Sequence, residues 1–331
     1  MKQIYIFLVC LIAGILCVCC DNNEASKKID IIFDTDANNE LDDQHAIAYL
    51  ILNDSVFNVL GITTNATGNG GNVDEHYKEA ERIIMLCDKL DQIKLFKGAN
   101  RSFERIKNSL SDPQFDGYQS VDFIIEQALK YNKKNKLTVL AVGKLTNIAL
   151  ALEKNPEITD KIRLVWLGAN YPHPGEYNLD NDIPSMNYLL NTNVEFEIAT
   201  VRYGEKSGTD AVRVTKNYIN TTMPGLGPVI KNPIIGRHGG EFNNFGDYSV
   251  NLFEHIDYPD SIQSRALYDM AAVAIVKNPA WATKTEIPCP IMENRVWVER
   301  PDNKRKIILW ENFDKESIID DLYKTLRRNT P

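Results

Sequence analysis

The stretch Phe33-Asp-Thr-Asp-Ala-Asn-Asn-Glu-Leu-Asp-Asp crowds Asp34, Asp36, Asp42 and Asp43 into ten residues. An apolar run over 29–33, with only Asp30 polar, leads into them. A helical pattern over 42–52 follows, with Ala46, Ile47, Leu50 and Ile51 at helical spacing. A strand that is apolar on both faces belongs in a parallel sheet covered on both sides. The acidic turn then falls at the strand's carboxyl end, where such sheets place their binding sites.

The rest of the chain keeps that rhythm. Strands are predicted over 56–63, 93–96, 137–142, 162–168 and 196–202, and helices over 73–90, 121–131 and 145–152, the last ended by Asn155-Pro156. The fold class is therefore α/β, with one open, mostly parallel sheet and helices on both faces, in a single domain over 29–331. Gly and Pro thicken between 222 and 246, which points to a long excursion rather than a domain boundary.

Net charge is −8, which gives no basic footprint for nucleic acid. The lone pair Arg327-Arg328 reads as a solvated helix end. Residues 1–28 read as an export leader and short tether: Lys2, an apolar stretch over 4–18, then Cys19-Cys20-Asp21-Asn22. This resembles a bacterial lipoprotein signal, with Cys20 favoured over Cys19 for lipidation and a plain cleaved signal or anchor helix as the alternative. The expected location is exported and lipid-anchored, on the periplasmic or cell-surface side, with no other membrane contact. Only Cys87 and Cys289 remain in the body, so there is no disulfide framework and no CxxC metal pattern.

Several carboxylates together repel one another unless a cation intervenes, and oxygen ligands suit a hard divalent ion. The bland alternative is a helix N-terminus with extra solvated acids. An EF-hand is excluded, because Asn39 stands at the sixth loop position instead of Gly, His45 at the twelfth instead of Glu, and a strand precedes the loop. A strand ending in Asp-x-Asp also resembles haloacid-dehalogenase-type phosphatases, with Asp34 as nucleophile and Asp36 as acid/base. Asn38 stands where those enzymes carry Thr or Val, and the later acidic pair for Mg²⁺ is not evident.

More of the chain fits a third pattern. Asp34-Thr-Asp36 followed by Asp42-Asp43 is similar to the metal-binding signature of the nucleoside hydrolase family, with a five-residue spacer in place of three. Gly61-Ile-Thr-Thr with Thr67-Gly-Asn, Ala141-Val-Gly-Lys-Leu-Thr-Asn, Leu167-Gly-Ala with Gly175-Glu-Tyr-Asn-Leu, and Ala266-Leu-Tyr-Asp-Met-Ala-Ala follow in that family's order. The resemblance implies Ca²⁺-dependent hydrolysis of the N-glycosidic bond of ribonucleosides. It implies Ca²⁺ ligands at Asp36, Asp43, the Val142 carbonyl and Asp269, with Asp36 also the base for the attacking water. Asp42, Asn69, Glu176 and Asn178 are the implied ribose contacts, with Asn72 competing with Asn69. Partners are then a nucleoside or other N-riboside, and a second copy or three more of the same chain. A non-catalytic lipoprotein that binds a nucleoside or sugar is the remaining alternative.

Some family members place His just before the last Asp, and here that residue is Tyr268. The leaving-group acid is thus open among Tyr268, His238 and His173. His238 lies in Gly236-Arg-His-Gly-Gly-Glu-Phe-Asn-Asn-Phe-Gly-Asp-Tyr, read either as an aromatic lid over a flat base or as a buried structural loop. His45 is expected to be structural, and His76 and His255 carry no signal.

Overall fold

The computed structural model describes residues 28–259 and 261–331, so the leader with Cys19 and Cys20 lies outside the described residues. Its centre is an eight-stranded sheet. In chain order the strands are β1 (Ile29–Thr35), β2 (Phe57–Thr64), β3 (Leu95–Phe96), β4 (Leu137–Ala141), β5 (Ile162–Leu167), β6 (Glu195–Ala199), β7 (Thr283–Pro288) and β8 (Lys306–Glu311). Their order across the sheet is β7-β8-β6-β5-β4-β1-β2-β3. Every neighbouring pair is parallel except β7 and β8.

β1 is buried from Ile31 to Thr35 and feeds both faces of the sheet. Ile31 and Phe33 join one apolar core and Ile32 the other. Successive side chains of a strand point to opposite faces, which is why this run does not alternate with polar residues. The chain runs outward from β1 to β2 and β3, then returns to place β4 on the other side of β1. The crevice between β1 and β4 is therefore the switch point at which doubly wound sheets bind ligands. Val142, just past β4, donates its N–H to the Asp34 carbonyl at 2.8 Å and fixes the two strand ends side by side.

The helix Asp42–Leu52 is buried along its whole length and packs on the helix Tyr268–Lys277. Neither helix has a side-chain cap at its N-terminus. Their first turns carry Asp42 and Asp43, and Asp269, where the unpaired N–H groups favour anions. Full burial explains why the helix over 42–52 keeps the bounds of its sequence pattern while others shift. The second helix ends at Leu86 instead of residue 90.

His45 anchors the first helix. It is fully buried, with Nδ1 2.7 Å from the Leu41 carbonyl and Nε2 2.8 Å from the Ser249 hydroxyl, between the edges of Phe245 and Phe253. Burial lowers its pKa from 6.5 to about 4. A lowered histidine pKa means that the unfolded chain takes up the proton first. Its contribution is complete above pH 6.5 and is lost as pH falls toward 4. That displacement is worth about 3 kcal/mol. Denaturant titrations of wild type and His45→Gln at pH 7 and pH 4 should show the gap between them shrinking by about that amount. A pH-independent gap would mean that His45 titrates in the folded protein as it does in the unfolded chain.

The sequence pattern stops short of β7, β8 and the closing helix Lys315–Arg328, whose last turn carries Arg327 and Arg328. The excursion over 222–246 contains a two-stranded hairpin, Ile234–Ile235 with Glu241–Phe242, and leads into the helix Phe245–Glu254. Cys87 and Cys289 are both free, and they sit in different apolar cores, so no bridge joins them. Among the described residues no helix is long and apolar enough to cross a membrane.

Candidate functional site

Beyond the carboxyl ends of β1, β4 and β5 lies a cavity of about 310 Å³. Asp36, Asp42, Asp43 and Asp269 line it together, although Asp269 is more than two hundred residues away in the chain. Carboxylate oxygens of Asp42, Asp43 and Asp269 lie within 4.8 Å of one another, all buried. Thr35 donates its hydroxyl to Asp43, and Thr67 donates to Asp36 Oδ2 at 2.5 Å. Gly143 is required here for space: a Cβ would come within 2.9 Å of Asp36 Oδ1 and 2.7 Å of the Asn65 amide nitrogen.

Burial pushes the Asp42 carboxyl up to about 7, with the Asp36 charge adding to the shift. Asp43 and Asp269 are pushed well above the usual carboxylate range, first by burial and then by their acidic neighbours. Asp36 is raised by burial as well. Four buried acids that penalise one another's charge form a site that a hard cation would relieve. The donor set, carboxylate oxygens with a backbone carbonyl nearby at Val142, fits such an ion, and the cluster Asp42, Asp43 and Asp269 could hold it. Asp43 and Asp269 belong both to this trio and to the ligand set implied by the sequence. Asp42 stands in the trio where the sequence implied Asp36.

The opposite wall is built by the turn after β5. Glu176 caps the short helix Tyr177–Asn181 and accepts N–H groups from Asn178 at 3.0 Å, Leu179 at 2.9 Å and Ala169 at 3.0 Å. Burial pushes its carboxyl up to about 7. Asn178 gives its amide hydrogens to the Val142 carbonyl at 2.7 Å and the Leu167 carbonyl at 3.2 Å, which leaves Oδ1 as its remaining polar atom. Both side chains line the cavity, as does Asn69. Asn72 does not. Its side chain caps the helix Val73–Leu86 by accepting from Asp74 and Glu75.

Tyr268 lines the cavity and donates its hydroxyl to Asp210 Oδ1 at 2.6 Å. His238 lies outside the cavity wall. It stacks on His255 with ring centroids 4.8 Å apart and accepts from Arg237. His173 is exposed, 3.5 Å from Glu205, and is also outside the wall. No residue of the 236–248 loop lines the cavity: Phe245 and Tyr248 are buried in the core, and Tyr248 donates to Glu79. The loop supports the site from behind, where Arg237 donates to the Asn38 carbonyl of the acidic turn.

Asp34, the nucleophile of the phosphatase alternative, is fully buried and absent from the cavity wall. It accepts from Thr63 at 2.6 Å, Asn65 at 2.8 Å and Asn147 at 2.7 Å. Burial pushes it up to about 7. A carboxyl enclosed by three donors ties β1 to β2 and to the helix after β4, and cannot attack a substrate. Residues that the sequence did not single out complete the wall: Asn39, Glu40, Tyr177, Tyr203 and Arg265. Glu40 and Arg265 form an ion pair across it. Asn39 and Glu40 come from the lengthened spacer, the one sequence signal that pointed to them.

Residues 31–317 match the family model described as inosine-uridine preferring nucleoside hydrolase. The chain belongs to this family. It is a hydrolase acting on N-glycosyl bonds, and its sheet and helices are those of the family. Among solved structures it resembles a plant nucleoside hydrolase, with TM-score 0.69 and 17% identity over 92% of this chain and 100% of that one. It also resembles a purine-preferring ribonucleoside hydrolase from Gardnerella vaginalis, with TM-score 0.65 and 19% identity over 91% and 99% of the two chains. A third likeness is to an inosine-uridine preferring nucleoside hydrolase from Bacillus anthracis, with TM-score 0.65 and 17% identity over 91% and 99%. At these identities the structures share the fold, and the chemistry must be argued from the cavity.

Proposed function

We propose that this member of the family is a Ca²⁺-dependent ribohydrolase that splits ribonucleosides with water into ribose and free base. The observation that carries the reading is the convergence of Asp36, Asp42, Asp43 and Asp269 on one cavity, facing Glu176 and Asn178. Asp43, Asp269, Asp36 and the Val142 carbonyl would hold the ion. When bound, it would lower the pKa of water and draw the vicinal sugar hydroxyls into place.

The chain's own residues do the rest. Asp36 has one oxygen occupied by the Thr67 hydroxyl, so the other is the one to take a proton from the attacking water. Asp42, Glu176 and Asn178 hold ribose hydroxyls. Glu176 is fixed by three backbone donors and keeps an acceptor site for one of them. Rigid contacts of this kind favour the flattened, oxocarbenium-like sugar over the ground state. In the chain as a whole, the leader places the enzyme outside the cytoplasm on a lipid anchor at Cys20.

Incubation with a panel of purine and pyrimidine nucleosides should release ribose and base in equal amounts. Tight binding without product would support the binding-lipoprotein alternative instead. Phosphate release from aryl phosphates without ribose release would reinstate the phosphatase.

A further inference from the structure

The cavity is poor in groups that could protonate a departing base. Histidine is absent among the described residues that line it. Tyr268 lines the cavity at the position where the family resemblance implies a leaving-group acid, but its proton is already committed. Asp210 Oδ1 accepts from both Tyr268, at 2.6 Å, and Arg213 Nη1, at 2.7 Å, while its Oδ2 accepts the Gly204 N–H at 3.0 Å. Each neighbour of that carboxylate is a donor, so the phenol is the donor in its pair, and its oxygen offers only lone pairs elsewhere. Tyr177 is occupied in the same way, accepting the Asn69 N–H and donating to Thr67. The one guanidinium in the wall, Arg265, is paired with Glu40.

What the wall does offer is negative charge and aromatic faces. Six carboxyl groups line it against the single guanidinium, all of them acceptors or potential anions. Tyr203 and Tyr268 meet edge to face with centroids 6.2 Å apart, beside Glu40 on the same wall. Such a surface attracts a flat cation through the ring quadrupoles and the carboxylates together.

We propose that the preferred substrates are N-ribosides whose aglycone is already cationic, such as a pyridinium riboside. This rests on the ribohydrolase reading and adds the leaving-group class to it. The C1′–N bond breaks with its electron pair moving onto the ring nitrogen, which cancels the positive charge, and the base leaves neutral with no proton from the protein. Water forms the new C1′–O bond and gives one proton to Asp36, which returns it to solvent. Asp210 is a positioning residue: it turns the phenol so that its lone pairs, not its proton, are available to the aglycone.

The test compares kcat/KM of the full chain, with Ca²⁺ added, on nicotinamide riboside, p-nitrophenyl riboside and inosine. The expected order is nicotinamide riboside, then p-nitrophenyl riboside, then inosine. The first should exceed the last by about 10²-fold or more, the factor that a missing acid withholds from inosine. Tyr268→Phe and Asp210→Asn should lower nicotinamide riboside more than inosine, because each removes the oriented lone pairs that face a cationic aglycone and neither removes a working acid. Tyr268→His should supply one and raise inosine selectively. Inosine equal to nicotinamide riboside, nicotinamide riboside no better than p-nitrophenyl riboside, or a Tyr268→Phe loss confined to inosine would each overturn the proposal while leaving the ribohydrolase intact. No turnover of all three substrates would sink the ribohydrolase reading and this inference with it.

Discussion

In the Asp36→Asn variant, kcat should fall by about 10²–10⁴-fold, the share a positioned general base contributes. Asparagine keeps the size of the side chain and an oxygen for the Thr67 hydroxyl. What it loses is the ability to accept a proton and one anionic ligand for the ion, so the kinetics are read at saturating Ca²⁺. KM for the nucleoside should change far less, because the ribose contacts at Asp42, Glu176 and Asn178 are untouched. Steady-state kinetics on one nucleoside decide the matter: a variant with wild-type kcat refutes the role of Asp36, and a change confined to KM would make it a binding residue.

The second large effect concerns Asp43. It is buried beside Asp36 and Asp42 and pushed far above the normal carboxylate range. Asp43→Asn removes one charge from that cluster while keeping an acceptor for Thr35. Its effect on stability should therefore change sign with the ion. In chelator the variant should melt higher than wild type, because buried like charges repel. With Ca²⁺ present wild type should gain stability by mass action and the variant should gain little. Thermal melts with and without the ion, beside metal analysis of the purified proteins, give both readouts. Equal responses to Ca²⁺ in the two proteins would place the ion elsewhere.

The parts of this molecule that were legible in its sequence are those in which one local pattern decides the outcome. The helix Asp42–Leu52 came out with its bounds, since it is buried throughout and its acidic first turn marks the start. β1, β4 and β5 are mainly apolar runs, each broken near its start by one polar residue (Asp30, Thr138, Arg163), and were equally plain. β7 was not, because at the sheet edge it is Thr-Lys-Thr-Glu-Ile-Pro, mostly solvent-facing, with no run to detect. The site divides in the same way. Asp36, Asp42, Asp43, Glu176, Asn178 and Asp269 sit in short motifs at strand ends and helix starts. Asp210 sits in a brief turn with no motif, and only the fold carries it to Tyr268. The pairing of Glu40 with Arg265 spans 225 residues and leaves no trace in either neighbourhood. Asn69 and Asn72 could be told apart only by backbone geometry, since both precede a helix and one of them had to cap it. The 236–248 loop misleads by composition: its aromatic rings and glycines suit a lid, yet they are consumed in packing against the first helix and Glu79.

The most direct test of the account is a Ca²⁺ titration of ribose release. Protein stripped with EDTA should release no ribose from a nucleoside, and activity should return in proportion to added Ca²⁺, saturating at one ion per active chain. Ribose release that persists undiminished in EDTA, with metal analysis confirming that the protein is stripped, would contradict the central claim that the four converging aspartates act through a bound ion.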